Sequence, residues 1–225
     1  GLVPELEGRV VCEPRFRSAD AVRGLEGFEY IWLIWGFSGN KPRSAAEATS
    51  SVAERETFQA TVRPPRLGGN ERIGVFASRS PFRPNGLGLS SVRLESIEYD
   101  AKDPDGKPVG PVINVLGADL MDGTPIYDIK PYVTYADSHP EAKGGFTDQT
   151  KEYGLDVRIP EEFLTLLPEE KRAPLRTVLS QDPRPSYQED PARVYGMEFA
   201  GYEVKFTVSG ETLYVKQVEK IHSSQ

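Results

Sequence analysis

Cysteine is almost missing from this 225-residue chain; Cys12 stands alone. One thiol cannot build an internal disulfide framework, and the composition suits a reducing, cytoplasmic setting. Histidine is nearly as scarce. His139 and His222 lie far apart, so the ligand spacing of a zinc site is missing, and a Cys/His or Ser/His/Asp nucleophilic site is a poor reading for the same reason. No apolar run is long. The longest, Tyr30 to Phe37 (YIWLIWGF), falls far short of the ~20 residues that cross a bilayer and reads as a buried strand. There is no basic-then-apolar leader, no Gly-x-Gly-x-x-Gly turn of the dinucleotide-binding kind, and no internal repeat.

What the chain does have is arginine in one place. Thr61 to Leu94 (TVRPPRLGGNERIGVFASRSPFRPNGLGLSSVRL) holds six arginines, no lysine and a single acid. The formal charge of the whole chain is −7, so the residues outside this stretch sum to −12. A local cationic segment in an acidic protein points to a phosphate- or carboxylate-bearing ligand, and general adhesion to nucleic acid is not implied. Guanidinium forks fix a multi-oxygen anion in orientation, where ammonium groups mostly supply charge.

Strand-like segments dominate the first 140 residues. Gly8–Glu13, Tyr30–Phe37, Arg72–Ala77, Leu87–Tyr99, Val109–Leu116 and Asp128–Val133 are rich in β-branched and aromatic residues and are separated by Gly/Pro/Asp turns. They predict an antiparallel sheet that curls into a barrel-like unit. Ser18–Leu25 predicts one short helix; Ser38–Ala60 is a polar excursion with helical character over Ala45–Phe58. Lys102–Lys107 (KDPDGK) is a hairpin turn, with Asp105-Gly106 at its positive-φ positions. The polar stretch Ala136–Tyr153 sets a domain boundary, giving residues 1–140 and 141–225. In the second part Leu155–Ile159 reads as a strand, and Pro160 opens a helix at its first position. Pro168 and Pro174 each restart the helix, and Val194–Phe199, Tyr202–Val208 and Leu213–Val218 form a meander. The predicted class is mainly β (α+β), non-Rossmann, with a small α+β C-terminal domain.

Four segments have the composition of chemistry. Arg63-Pro64-Pro65-Arg66-Leu67-Gly68-Gly69-Asn70 joins a stiff extension to a flexible turn and can set two guanidiniums around an oxyanion. Arg79-Ser80-Pro81-Phe82-Arg83-Pro84-Asn85-Gly86-Leu87-Gly88 repeats that design with an aromatic ring between its arginines, which suits a stacked base beside a phosphate. Surface ion pairing is the plainer alternative for these arginines. Asp119-Leu120-Met121-Asp122-Gly123-Thr124-Pro125 sets two carboxylates three apart after the strand VINVLG. They can accept ribose hydroxyls or an amino group, or take a proton from nitrogen; equally, Asp122-Gly123 is a tight turn and Asp119 its cap. A hard cation would want more oxygen ligands than this motif supplies. Asp128 and Lys130 alternate onto one face and can pair there. Gln181-Asp182-Pro183-Arg184-Pro185-Ser186-Tyr187 is either a helix-ending elbow or a loop that offers Arg184 and Tyr187 to RNA. Trp32 and Trp35, three apart in a strand, point to opposite faces, one of them toward the core.

RPPRLGGNERIGVFASRSPFRPNGLGLSSVRL, GADLMDGTPIYDIKPYV, DPRPSY and ADAVRGLEGFEYIWLIWGF, in that setting, resemble the TsaA-like (TrmO) tRNA methyltransferases from about Gly1 to Val218. The resemblance implies a β-barrel-like S-adenosylmethionine-binding domain, a small C-terminal domain, a homodimer, and methyl transfer to N6 of threonylcarbamoylated adenosine at position 37 in the tRNA anticodon loop; the short apolar runs add the expectation of no membrane partner. It implies cofactor contacts at Ser38, Gly39, Arg79, Leu89 and Asp119, Leu120, Met121 and Asp122. Family members begin with a further strand and a Pro-Arg-Gln element that precede the first residue here, and Ser38-Gly39 stand where relatives carry bulkier polar residues.

The residues and the resemblance join in one expectation. The chain aligns a nucleophile with an already electrophilic methyl group and excludes water. Asp119 or Asp122 receives the N6 proton, while Arg63, Arg66 or Arg83 holds the threonyl carboxylate and anticodon-loop phosphates, with Phe82, Arg184 and Tyr187 as further RNA contacts. No metal is expected. Two rivals are open at this point: a non-catalytic RNA-binding β-barrel using the same arginine–aromatic loop, and a small-molecule phosphate or nucleotide enzyme.

Overall fold

The computed structural model describes residues 3–37, 60–64, 67, 71–149, 154–184 and 190–221. The helical segment expected over Ala45–Phe58 lies outside them. The chain divides into two compact units, Gly1–Val62 with Gly74–Glu141, and Arg63–Ile73 with Ala142–Gln225.

The first unit is built on a five-stranded antiparallel sheet. Its strands are β1 (Glu7–Val11), β2 (Tyr30–Gly36), β5 (Leu87–Glu98), β6 (Val112–Leu116) and β7 (Ile126–Pro131), in the order β1-β6-β5-β2-β7. β1 and β7 are the edges, so among the described residues the sheet is open and does not close into a barrel. A two-stranded ribbon of β3 (Thr61–Val62) and β4 (Ile73–Gly74) flanks it in sequence.

Alternation along β2 explains its place. Ile31 and Leu33 are fully buried, and Trp35, on the same face, packs against their cluster with Val22, Val92, Ile113 and Val115. Burial of each such aliphatic side chain is worth roughly 1.5–3 kcal/mol. Trp32 points the other way, as its spacing from Trp35 predicts, and packs on Tyr132 with ring centroids 5.6 Å apart. Asp128 and Lys130 do share a face and pair at 2.8 Å. The Lys130 ammonium holds the Asp128 carboxyl below its ordinary value, and both groups are largely exposed.

Several local expectations are corrected. Ser18–Leu25 is not one helix but two 3-10 turns, Ala19–Val22 and Leu25–Gly27, because the segment is too short and too interrupted to propagate an α-helix. Only Ile73–Gly74 of the Arg72–Ala77 strand pairs, and Val75–Ala77 winds into a 3-10 turn. β6 begins at Val112, since the N–H groups of Val109 and Gly110 both donate to Ala101 O, at 2.8 and 3.2 Å. At the KDPDGK tip Gly106 alone has positive φ, 81°. Asp105 does not need it, because the Asp103 carboxylate accepts from Lys107 N at 2.8 Å and closes the turn.

In the second unit β8 (Asp156–Arg158), β9 (Tyr195–Phe199), β10 (Tyr202–Ser209) and β11 (Thr212–Lys220) form a sheet ordered β8-β11-β10-β9. The expected meander is there, and β8 adds to it in parallel with β11. Two helices follow β8: Glu161–Leu164, which we call α2, and α3 (Glu169–Ser180). Pro160 and Pro168 stand at their N-caps, so Pro160 is one residue outside the position expected for it. Pro174 does not restart a helix. It sits inside α3, buried with Leu175 and Leu179, and this apolar packing outweighs the lost backbone hydrogen bond. Among the described residues no helix is long and apolar enough to cross a membrane, and no cluster of His, Cys, Asp and Glu has the makings of a metal site.

After β7 the chain turns into the short helix α1 (Thr134–Asp137). The Asp137 carboxylate accepts from Val133 N at 2.8 Å and Trp32 Nε1 at 3.0 Å. The Val133 N–H, then the Trp32 indole, hold this carboxyl below the usual aspartate value. Because the folded value is depressed, the contribution is full above the unfolded aspartate pKa and disappears as pH falls through the folded one. Replacing Asp137 by Ala is expected to lower the melting temperature at neutral pH by about 2–4 °C. The gap between wild type and variant should close on acidification below the ordinary aspartate range, and thermal melts across that range check it.

Candidate functional site

The far end of β2 is where the sequence-predicted segments meet. Its last N–H groups pair in opposite directions: Gly36 N donates to Pro125 O and Phe37 N donates to Gly86 O, each at 3.0 Å. Pro125 ends the DLMDGTP segment, and Gly86 ends the arginine–aromatic loop. The two loops therefore flank β2, on the side of β7 and the side of β5 respectively. Ser38 and Gly39, next along the chain, lie outside the described residues, as do Arg66 and Tyr187.

Hydroxyls and one guanidinium shape the arginine loop. Ser78 Oγ donates to Val75 O at 2.8 Å and accepts from Ser80 N, and Ser80 Oγ accepts from Phe82 N, both at 3.3 Å. Arg83, half-buried, donates from Nη1 to Ser78 O at 2.5 Å and Val75 O at 3.3 Å, with its guanidinium 5.9 Å from the Phe76 ring. It braces the loop from within. Arg79 is exposed and hydrogen-bonds to none of the described residues, and Phe82 stands 58 % exposed. The brace leaves Arg79 and Phe82 presented outward.

The opposite loop is pinned by Leu120, half-buried against the core cluster. Asp119, Met121 and Asp122 are exposed around that anchor. A turn closes at Met121 O, which accepts from Thr124 N at 3.1 Å and Thr124 Oγ1 at 2.7 Å, with Gly123 at φ 72°. The tight-turn reading of Asp122-Gly123 is thus realised, and it leaves both carboxylates facing outward on either side of a fixed apolar residue.

The remaining predicted residues separate. Leu89 lies opposite Ile34 on the outer face of the sheet and is 52 % exposed. Arg63 belongs with the second unit, whereas Arg79 and Arg83 belong with the first. Arg184, also in the second unit, makes a fork with Asp182, 2.7 Å at both Nε and Nη2, and the pair is only 15 % and 12 % exposed.

Comparison with known proteins fits this arrangement. A family model described as the tRNA-methyltransferase O N-terminal domain matches residues 1–138, and one for the C-terminal domain of the same family matches residues 152–221. The chain belongs to the tRNA-methyltransferase O family. It is 38 % identical over 221 residues to the tRNA (adenine(37)-N6)-methyltransferase of Escherichia coli, covering 93 % of this chain and 84 % of that one. A Pseudomonas aeruginosa relative, named as an S-adenosylmethionine-dependent methyltransferase, is 35 % identical over 223 residues, 90 % of this chain and 80 % of the relative. A crystal structure of TrmO from Pseudomonas aeruginosa superposes with a TM-score of 0.64 at 29 % identity, covering 96 % of this chain and 86 % of that one.

Within this tRNA-methyltransferase O fold two features escaped the sequence reading. Tyr127 is 64 % exposed, and a Cβ on Gly36 would fall 2.6 Å from its hydroxyl, so the ring lies against the bare end of β2. The signal was Gly36 itself, a residue with no side chain closing an otherwise bulky strand. The second is the Trp35 indole. It lies over Gly88 and donates from Nε1 to Ser90 Oγ at 3.0 Å, while Phe37 meets it edge-on at 4.5 Å.

A Cβ on Gly88 would come within 2.3 Å of the Trp35 ring. Gly88→Ala is expected to cost about 1–3 kcal/mol by overpacking. In a Trp35→Leu background the same change should cost little. Urea unfolding of the four proteins measures this, and an equal cost in both backgrounds would rule out the contact as the cause.

Proposed function

We propose that this chain is an S-adenosylmethionine-dependent methyltransferase acting on N6 of threonylcarbamoylated adenosine at position 37 of tRNA. On this reading it works in the cytoplasm as a homodimer, with the cofactor-binding domain within residues 1–140 and a small domain over 141–225. The observation that carries the reading is the meeting of an outward arginine–aromatic loop and an outward carboxylate loop at the end of β2, in a chain of this family.

The residues fit the cofactor. Leu89, Met121 and Phe82 are large apolar side chains left 52, 67 and 58 % exposed, in loops and a strand that also carry a guanidinium and two carboxylates. Such a set matches a molecule with an aromatic ring, vicinal hydroxyls, an ammonium and a carboxylate. Arg79 would hold the carboxylate, Asp119 or Asp122 the hydroxyls or the amino group, and Leu89, Leu120 and Met121 the apolar surfaces, with Ser38 and Gly39 contributing next to Phe37. When bound, S-adenosylmethionine supplies an electrophilic sulfonium methyl group.

The protein's own work is then alignment and proton removal. The substrate N6 belongs to a urea, so its lone pair is delocalised and its proton must leave as the new bond forms. An exposed carboxylate at Asp119 or Asp122 receives that proton, the role for which side-chain bases are held at hydrogen-bonding distance. Arg63 and Arg66 serve the threonyl carboxylate and anticodon-loop phosphates. Arg83, braced on Val75 and Ser78, serves the same anions by fixing the loop that presents Arg79 and Phe82. Arg184, held in its fork with Asp182, and Tyr187 contact the RNA. Exposed Leu87 and Leu89, adjacent on the outer face of β5, support a second copy covering that face.

Isothermal titration is expected to show saturable S-adenosylmethionine binding that Arg79→Ala or Asp122→Ala weakens by tenfold or more, and methyl transfer to threonylcarbamoylated tRNA but not to unmodified transcript. Asp122→Asn with unchanged cofactor affinity and full turnover would take the base role from Asp122. RNA binding with no response to S-adenosylmethionine would return the chain to the non-catalytic rival.

A further inference from the structure

The outer face of the second sheet is electrically divided. Register places Arg158 of β8 beside Tyr214 of β11, and Lys216 follows on the same strand face, with its ammonium 5.6 Å from the Tyr214 ring. Lys216 is the extra residue of a β-bulge: Lys205 pairs with Gln217 and Phe206 with Val215, so Lys216 stands out of the ladder. Arg176, from α3, donates from Nη1 to Val157 O at 2.8 Å and reaches the same place. Together with Pro160 these residues line a shallow depression of about 440 Å3.

At the other end of that face the sign reverses. Glu203 pairs in register with Glu219 on one side and Glu198 on the other, three carboxylates in one cross-strand row. Like charges directly opposite one another destabilise a sheet; Lys205, 3.8 Å from Glu203, and Gln217, which donates to Glu219, offset part of that cost, and Glu198 has no ion pair among the described residues. At the cationic end Asp156 pairs with Arg158 at 2.7 Å, and both are more than half exposed. An exposed pair of this kind is worth little and readily exchanges for a phosphate.

We propose that the cationic end, Arg158 and Lys216 with Tyr214 and Arg176 beside them, is a docking surface for the phosphodiester backbone of tRNA, and that the glutamate row marks its limit by repelling the same backbone. The inference rests on the tRNA-methyltransferase reading and adds to it a contact outside both arginine clusters of the Thr61–Leu94 stretch. Charge complementarity selects the occupant. In a chain of net charge −7, adjacent exposed cations around an exposed tyrosine suit a polyanion with hydrogen-bonding sugars, and the neighbouring acids give it one permitted direction. Arg176 positions the rim through Val157 O, while Arg158 and Lys216 meet the phosphates.

The test is filter binding of tRNA to the full chain at several salt concentrations, run beside S-adenosylmethionine titration and methyl-transfer kinetics. The charge-reversed protein R158E/K216E should bind tRNA about tenfold more weakly or worse, with the slope of log K against log salt reduced by about 2. Its cofactor affinity and its kcat at saturating tRNA should match wild type. R158Q/K216Q should fall between the two, and E198Q/E203Q, which extends the cationic end, should bind tRNA more tightly. Wild-type affinity and salt slope in R158E/K216E would overturn the proposal, as would equal weakening by a reversal at Arg23, an exposed residue of the first unit. A wild-type protein that binds tRNA without transferring a methyl group would overturn the methyltransferase reading alone, since the docking surface is read from binding.

Discussion

Everything at the candidate site hangs on β2 being paired along both edges. It is the strand between β5 and β7, and its side chains alternate between a core-facing set, Ile31, Leu33 and Trp35, and a more exposed one. A strand with neighbours on each side has no freedom to shift register without moving the whole apolar set out of the core. Its two final N–H groups, one spent on each flanking loop, then transfer that rigidity to residues with no regular structure of their own. The loops can be irregular, polar and exposed because the strand between them is none of these.

The electrostatic design follows the same economy. Arginine is concentrated in one stretch of an otherwise acidic chain, yet the arginines of the protein do different work. Arg83 is turned inward on carbonyl oxygens, Arg184 is matched to a largely buried aspartate, and Arg79 is left outward. A guanidinium carries enough donors to brace a backbone, where lysine would offer a single flexible ammonium. The absence of lysine from the stretch is therefore as much a structural statement as a ligand-binding one.

Much of this was legible from residue order. β2, β5 and the C-terminal meander announced themselves by apolar alternation and turn residues, and the opposite faces of Trp32 and Trp35 and the pairing of Asp128 with Lys130 followed from a period of two. Losses came where a local rule met a tertiary one. Pro174 breaks helices in isolation but is buried in α3 with Leu175 and Leu179. Arg72–Ala77 has strand-forming residues but little partner strand to pair with. Barrel closure depends on edge pairing that no single segment encodes. At the site, the motifs gave the right loops, but whether an arginine faces in or out is decided by carbonyls several residues away. The Arg63 cluster falls with the other unit from Arg79, a division invisible in a continuous stretch of sequence.

The parallel pairing of β8 with β11 carries a consequence for synthesis. The first sheet has all its strands once Pro131 has been made, when β2 gains β7, its last partner. The second sheet begins at Asp156 but places β8 against β11, so that strand has no ladder partner until residues 212–214 have left the ribosome. Long-range parallel pairing of this sort is slow to form. The emerging chain thus folds in a fixed sequence, with the unit that carries the two site loops assembled first and the unit that carries the divided face waiting on its last strand.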